Sequence, residues 1–350
     1  MRILVAPDKF TGTLTATQAA DAIAAGWHRY APDDQVTCIP MSDGGPGFRD
    51  ALANLIERDR STAYVESADF CGPAMVDGPW NGSTAAVGVA VRDAIAGGAS
   101  KVVVGLGGSG TNDGGAGFLA ALGATGDVSL DAGPAGLRDI SKLNLTAVRD
   151  ATRGRELVGA ADVDIPLLGL FGATKTFGPQ KGLSDADLLV VDRILDQFVG
   201  AALGASPSER RLAETPGAGA AGGLGFGILA AGGTVARGVD LVAEAVGLAA
   251  ACVNHDLVLT GEGTFDHTSR SGKVVYGVAQ AAGAAARPCV VLAGQVTVGA
   301  RESRAMGVDA AYAMADLVGL DTAMTQPSEA LSQLAERTAR TWSPKDEHCS

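Results

Sequence analysis

Short apolar runs alternate with segments whose apolar residues recur every three or four positions, almost from end to end of the chain. The first run is Ile3-Leu4-Val5-Ala6. Thr15-x-x-Gln18 then reads as a capping box, and Ala19, Ala22, Ile23, Gly26, Trp27 and Tyr30 share one helical face. Val36–Pro40 predicts a second strand, followed by Ser42-Asp43-Gly44-Gly45 and a helix carrying Leu52, Leu55 and Ile56. Val102–Leu106 predicts a strand leading to a helix near Ala116–Leu122, and Leu157–Ala161 a strand entering a Gly/Pro-rich loop. Ser184-x-x-Asp187 starts a long helix with Leu188, Val191, Leu195, Phe198 and Ala202 inward. Ser206–Pro216 reads as a polar surface loop, and glycine-rich Gly217–Gly227 leads into a further helix. Strands follow at Asp256–Thr260, Pro288–Ala293 and Ala310–Ala313, with helices around Val274–Ala282 and Ser328–Trp342. Pro344–Ser350 reads as a frayed polar tail.

Strand–helix alternation of this kind builds mainly parallel sheets covered by helices, so the expected fold class is α/β. A chain of 350 residues is long enough for two α/β domains. The similar style of the first and last segments places both termini in one discontinuous domain, residues 1–62 and 286–350. Residues 63–285 form the central domain with the Gly-rich loops. Glycine supplies 49 residues without a G-X-Y period, which points to loops and close helix–sheet packing rather than to collagen or a linker.

Charge and cysteine usage narrow the function classes. A net charge of −12 leaves no basic stripe to displace phosphate counterions, so a nucleic-acid partner is not expected. No apolar run is long enough to span a bilayer, and Met1-Arg2 run directly into the first strand without a signal peptide. The five cysteines, Cys38, Cys71, Cys252, Cys289 and Cys349, show no C-x-x-C and no metal spacing with histidine. A cytoplasmic protein is expected, without membrane or nucleic-acid partners. A homodimer is compatible with this reading.

The candidate chemistry sits in five polar loops at predicted strand ends: Asp8-Lys9, Asp43-Gly44-Gly45, Ser109 to Asp113, Asp162-x-Asp164, and Glu262-x-x-x-Asp266 with Lys273. Strand carboxyl ends are where open α/β sheets hold ligands; bare N–H groups there bind phosphate, and carboxylates hold a metal ion. Phosphoryl transfer uses this set: cationic and N–H donors, carboxylates for Mg²⁺, and one carboxylate as base toward a hydroxyl. Gly105-x-Gly107-x-x-Gly110 matches a dinucleotide fingerprint, but so does Gly217-x-Gly219-x-x-Gly222, which has no clear strand before it. A Walker P-loop and a Gly-x-Ser-x-Gly elbow are both missing from the sequence. His28 falls on a helix, His348 in the tail, and His267 reads as surface decoration. Lys181, in the turn Phe177-Gly178-Pro179-Gln180-Lys181-Gly182, is a candidate phosphate or carboxylate contact against the alternative of a solvated turn lysine.

At these residues the chain resembles the type 1 glycerate kinase family. The matching stretches are Ala6-Pro7-Asp8, Pro40 to Gly45, Gly105 to Gly117, Asp162 to Gly169, Gly172 to Gly182, Gly217 to Gly225, and Leu259 to Gly263 through Asp266 to Gly272-Lys273. The resemblance implies two α/β domains with a cleft between them, and transfer of the ATP γ-phosphate to a glycerate hydroxyl with Mg²⁺. On this reading Asp43 or Asp113 is the base, and Asp162, Asp164 and Glu262 are the metal candidates. Asp8, Lys9, Gly44, Gly45, Lys181 and Lys273 are the substrate candidates. Gly107, Gly108, Ser109, Thr111, Asn112, Gly261 and Gly263 are the phosphate and ATP candidates. The chain departs from the family in three places: Pro46 replaces the usual Glu, Thr11 stands where a Lys usually precedes Gly12, and about two dozen residues are missing after Cys71-Gly72-Pro73. These departures motivate the alternative of a non-catalytic paralogue that binds nucleotide or a small carboxylate.

Overall fold

The computed structural model describes residues 1–59, 61–204, 206–270 and 273–343. Gly272, Cys349, His348 and the predicted tail lie outside the described residues. The chain forms two compact units, the first from Met1–Asp43, Asp50–Leu55 and the residues from Val239 onward, the second from Gly44–Arg49 and Ile56–Gly238. The chain re-enters the first unit at Val239.

In the first unit, strands β1 (Arg2–Val5), β2 (Gln35–Cys38), β9 (Leu257–Phe265), β10 (Cys289–Val296) and β11 (Ala310–Ala313) form one sheet in the order β11-β10-β9-β1-β2. Every pairing in it is parallel. Side chains alternate across a strand. Ile3, Val5, Leu257, Leu259, Val290 and Leu292 thus join Ile23, Trp27, Leu331 and Leu334 in one apolar cluster. The helices of that cluster are Ala16–Tyr30 and Pro327–Trp342, which pack on each other. The first opens on the expected capping box, Thr15 accepting from the Gln18 amide at 3.2 Å. Helix Val274–Ala284 packs on β9 and β10, and Leu248–Asn254 on β1.

The second unit is a parallel sheet of β3 (Thr62–Glu66), β4 (Lys101–Gly105), β7 (Glu156–Ala161) and β8 (Thr234–Arg237), in that order. A small antiparallel pair, β5 (Thr125–Gly126) and β6 (Leu143–Asn144), lies apart from it. Phe118, Leu195, Phe198 and Phe226 are fully buried in its core, and the Phe198 and Phe226 rings meet edge to face at 5.9 Å. Ser184 and Asp187 cap helix Asp185–Leu203 as expected.

Four elements differ from the sequence expectation. Strands β3 and β8 border their sheet and are mostly half-buried, so neither shows an apolar run. Helix Ala85–Ala96 is rich in valine at alternate positions, which hides its 3.6-residue period. Strand β9 runs to Phe265, so Gly261, Glu262 and Gly263 are strand residues and not a loop. A Cβ on Gly261 would collide with the Leu292 backbone oxygen, so that glycine serves the β9–β10 approach.

Gly26 lies where the two packed helices approach closely, and a Cβ there would strike the Ser332 carbonyl. Gly26→Ala is therefore expected to lower stability by about 1–3 kcal/mol, the scale of overpacking. Urea unfolding measures it; an unchanged midpoint would show that the helices separate freely at this contact.

Candidate functional site

Each unit carries a pocket at the carboxyl ends of its strands. In the first unit, the order in which strands are added reverses between β1 and β9, since β9, β10 and β11 are laid down on one side of β1 and β2 on the other. Open α/β sheets hold ligands at such a switch point. Two bonds fix the geometry: the Asp8 amide donates to Gly261 O at 2.9 Å, and Thr260 Oγ1 donates to Ala6 O at 2.8 Å.

A cavity of about 350 Å³ opens there, lined by Asp8, Lys9, Asp43, Glu262, Asp266 and Lys273 together with Gly263, Gln295 and an apolar wall. Lys9 Nζ donates to Asp43 Oδ1 at 3.1 Å and lies 3.9 Å from Asp8 Oδ1. Glu262 Oε1 accepts from the buried Ser269 hydroxyl at 2.6 Å. Lys273 Nζ donates to Thr268 Oγ1 at 2.8 Å, and that threonine donates to Asp266 Oδ1 at 2.6 Å. Burial pushes the Asp8 carboxyl up to about 7 against the opposing pull of Lys9, with the Asp43 charge adding to the rise. Glu262 is also pushed to about 7, chiefly by burial, while the Ser269 hydrogen bond and Lys273 pull the other way. Asp266 is held below its ordinary value by Thr268.

The pocket of the second unit lies at the ends of β4 and β7 and is lined by Gly107, Gly108, Ser109, Asp162, Val163, Phe177, Gln180 and Lys181 among others. The glycines here answer to close approach. Gly108, at φ 74, has Pro46 Cγ only 2.6 Å from where a Cβ would lie, and the Gly107 amide donates to Gly44 O at 3.1 Å. Pro46, the unexpected residue of its motif, is thus a packing surface for this loop. Lys181 Nζ donates to Thr111 O at 2.6 Å and to Ser109 Oγ at 3.4 Å, and burial pulls its pKa down to about 8. It is no solvated turn lysine. Asn112 is buried, its amide donating to Thr174 Oγ1 at 2.9 Å.

Several sequence candidates change role. Asp113 is 0% exposed, and its carboxylate accepts from the Thr84 amide and hydroxyl, Gly115 N and Gly117 N at 2.8–3.2 Å. Burial raises its pKa against all four donors. Such a carboxylate folds its loop; it has no open side toward a substrate hydroxyl. Gly44 and Gly45 pack closely against Gly105 and Gly107. Asp162 lines the second unit's pocket, Asp164 does not, and both are exposed. Glu262 belongs to the first unit, so the three metal candidates divide between the units. Among the described residues no group of three or more His, Cys, Asp or Glu is arranged to hold a metal ion.

Other residues escaped the sequence reading. Glu66 is buried at the end of β3 and accepts from the Gly47 and Arg49 amides at 2.7 and 3.1 Å, which holds the Gly44–Arg49 turn. It went unseen because β3 did. Thr84 was passed over because it precedes an unrecognised helix, and Met314, Leu320, Ala323 and Met324 because an apolar wall looks like core in sequence.

Carboxylates and lysines gathered at a switch point in one unit, and a glycine loop holding a half-buried lysine in the other, are the parts of an α/β phosphotransferase. The glycerate kinase family model matches residues 3–59 and 54–343, and the chain belongs to that family. It is 35% identical to the glycerate kinase of Bacillus subtilis, covering 97% of this chain and 96% of that protein. It is 30% identical to the glycerate 2-kinase of Escherichia coli, covering 97% and 98%. A crystal structure from Salmonella typhimurium LT2, described as a candidate glycerate kinase 2, superposes with a TM-score of 0.83 at 28% identity over the whole of both chains. The curated alignments span 376 and 374 residues against a chain of 350, so those relatives hold residues with no counterpart here.

Two outcomes follow. Asp113→Ala strands buried donors and is expected to cost at least about 3 kcal/mol in urea unfolding; a fully stable but inactive variant would return Asp113 to the role of base. Glu262 binds its proton more tightly folded than unfolded between about 4.5 and 7. That stability is complete below the lower value and lost as pH rises through the upper one. Glu262→Gln should therefore be more stable than the parent at pH 8, by on the order of 2 kcal/mol, with the difference vanishing near pH 4. Melting curves across pH read this directly.

Proposed function

We infer that the protein phosphorylates glycerate, taking the γ-phosphoryl group of ATP onto a hydroxyl of the acid. The observation that carries this reading is the meeting of Asp8, Lys9, Asp43 and Glu262 in one pocket of the first unit. Family membership supports the reaction, and nothing in the relatives supports a non-catalytic paralogue. In the proposed step the acceptor hydroxyl gives its proton to a carboxylate, and its oxygen bonds to the γ-phosphorus. The bond from that phosphorus to the bridging oxygen breaks, leaving ADP and phosphoglycerate.

Asp8 is the better base than Asp43. Its carboxyl sits at about 7, near working pH, where a carboxylate both accepts and returns a proton, whereas Asp43 is engaged by Lys9 at 3.1 Å. Lys9 and Lys273 supply positive charge for the phosphoryl oxygens. Mg²⁺ usually keeps several waters and binds through one or two carboxylates plus phosphates, so the hard oxygens of Asp43 and Glu262 suit it without forming a cage. When bound it neutralises phosphate charge. No helix of the described residues is long and apolar enough to cross a membrane.

The test is a coupled assay with ATP, Mg²⁺ and D-glycerate, reading phosphoglycerate and ADP together. Asp8→Asn should lower kcat by about 10²-fold or more, the scale of general-base catalysis, and remove the acidic limb near pH 7. Absence of turnover in the parent protein would overturn the reading.

A further inference from the structure

The first unit's pocket is larger and more two-sided than a three-carbon acid requires. Sites for drug-sized ligands begin near ~300 Å³, and this cavity holds about 350 Å³. Its polar end carries Asp8, Lys9, Asp43, Glu262 and Lys273, while Met314, Leu320, Ala323 and Met324 line the other side. The chain reaches that wall directly from β11 through two short helices, Met314–Val318 and Leu320–Thr325, joined at Gly319 with φ 82.

Leu320 and Met324 are 47% and 56% exposed, so they are not core residues with a cavity at their edge. Large apolar side chains facing open space stand ready to bury area against a ligand. The second unit also exposes large apolar side chains, Met75, Leu170, Phe171 and Leu189, but none of them lines its Gly107–Lys181 pocket. Glycerate bears an oxygen on every carbon and has no apolar face to offer this wall. A nucleotide has one: its base is flat and apolar above and below, and its phosphates suit a lysine-bearing end.

We propose that the first unit's pocket receives the nucleoside of ATP, with the base against Met314, Leu320, Ala323 and Met324 and the phosphates toward Lys9 and Lys273. The identity of the nucleotide rests on the kinase reading above; the apolar wall does not. The pocket of the second unit, favoured by sequence for ATP and lined in part by Leu106, Val163 and Phe177, is then an anion site.

The experiment measures, on the full chain, calorimetric affinity for a non-hydrolysable ATP analogue and the separate KM values for ATP and glycerate. Met324→Glu places a charge in the wall and Leu320→Ala trims it. Met324→Glu should raise the analogue's Kd and the KM for ATP at least about tenfold, and Leu320→Ala by about three- to tenfold. The KM for glycerate should hold within about twofold in both, because no base contact is involved. Tripolyphosphate, which lacks a base, should inhibit parent and variants with the same constant. Melting midpoints confirm folding, and Leu320→Ala carries the test should Met324→Glu fail to fold. A rise in glycerate KM with ATP affinity unchanged, or tripolyphosphate inhibition weakening in step with ATP, overturns the assignment and leaves the kinase reading intact. Analogue binding that weakens in the variants of a protein unable to phosphorylate glycerate overturns the kinase reading and supports the nucleoside pocket. A parent protein that neither binds the analogue nor turns over overturns both.

Discussion

The parallel pairing of β1 with β9 is the constraint on which the first unit and its chemistry depend. It joins residues some 250 positions apart, with Ile3 opposite Leu257 and Val5 opposite Leu259. Once that register is set, Asp8 and Glu262 must emerge at the same edge, because Asp8 follows β1 by three residues and Glu262 lies on β9 three residues beyond Leu259, the partner of Val5. Bonds from Asp8 N to Gly261 O and from Thr260 Oγ1 to Ala6 O extend the pairing to the edge of the pocket. A one-residue slip would turn every side chain of β1 to the opposite face and take Ile3 and Val5 out of their cluster. Core packing and carboxylate placement are therefore one decision. The same pairing creates the switch point, since only there do neighbouring crossovers leave in opposite directions.

Much of this was legible in the residues. Ile3–Ala6, Val102–Leu106 and Leu157–Ala161 announce buried parallel strands because both their faces are covered. Thr15–Gln18 and Ser184–Asp187 announce helix starts because a cap is a local bond. The edge strands β3 and β8 were illegible for the converse reason: half-buried strands carry no continuous apolar run. Where the chain returns to the first unit was also hidden, because β8 and the helix that follows it resemble any other strand–helix step.

The site was legible by residue type and less so by role. Asp8, Lys9, Asp43, Glu262 and Lys273 stand out as polar residues at strand ends, and they do line one pocket. Asp113 stood out by the same criterion, yet burial with four donors makes it a fold-building carboxylate. Sequence cannot separate these cases, because the difference lies in Thr84, a residue 29 positions away. Glu66 shows the reverse error. It acts on the Gly44–Arg49 turn from a strand that had no visible signature.

The two pockets have opposite electrostatic demands, each visible in what burial does to its charges. In the first unit, burial and neighbouring carboxylates push Asp8 and Glu262 up to about 7, toward neutrality. In the second, burial pulls Lys181 down to about 8, and among the described residues no carboxylate forms an ion pair with it. Charges held near their neutral forms in this way are poorly compensated by the protein alone. An incoming cation would restore the first pair to full ionisation, and an incoming anion would do the same for the lysine. Each unit therefore carries a charge that burial disfavours and that its own side chains leave poorly compensated.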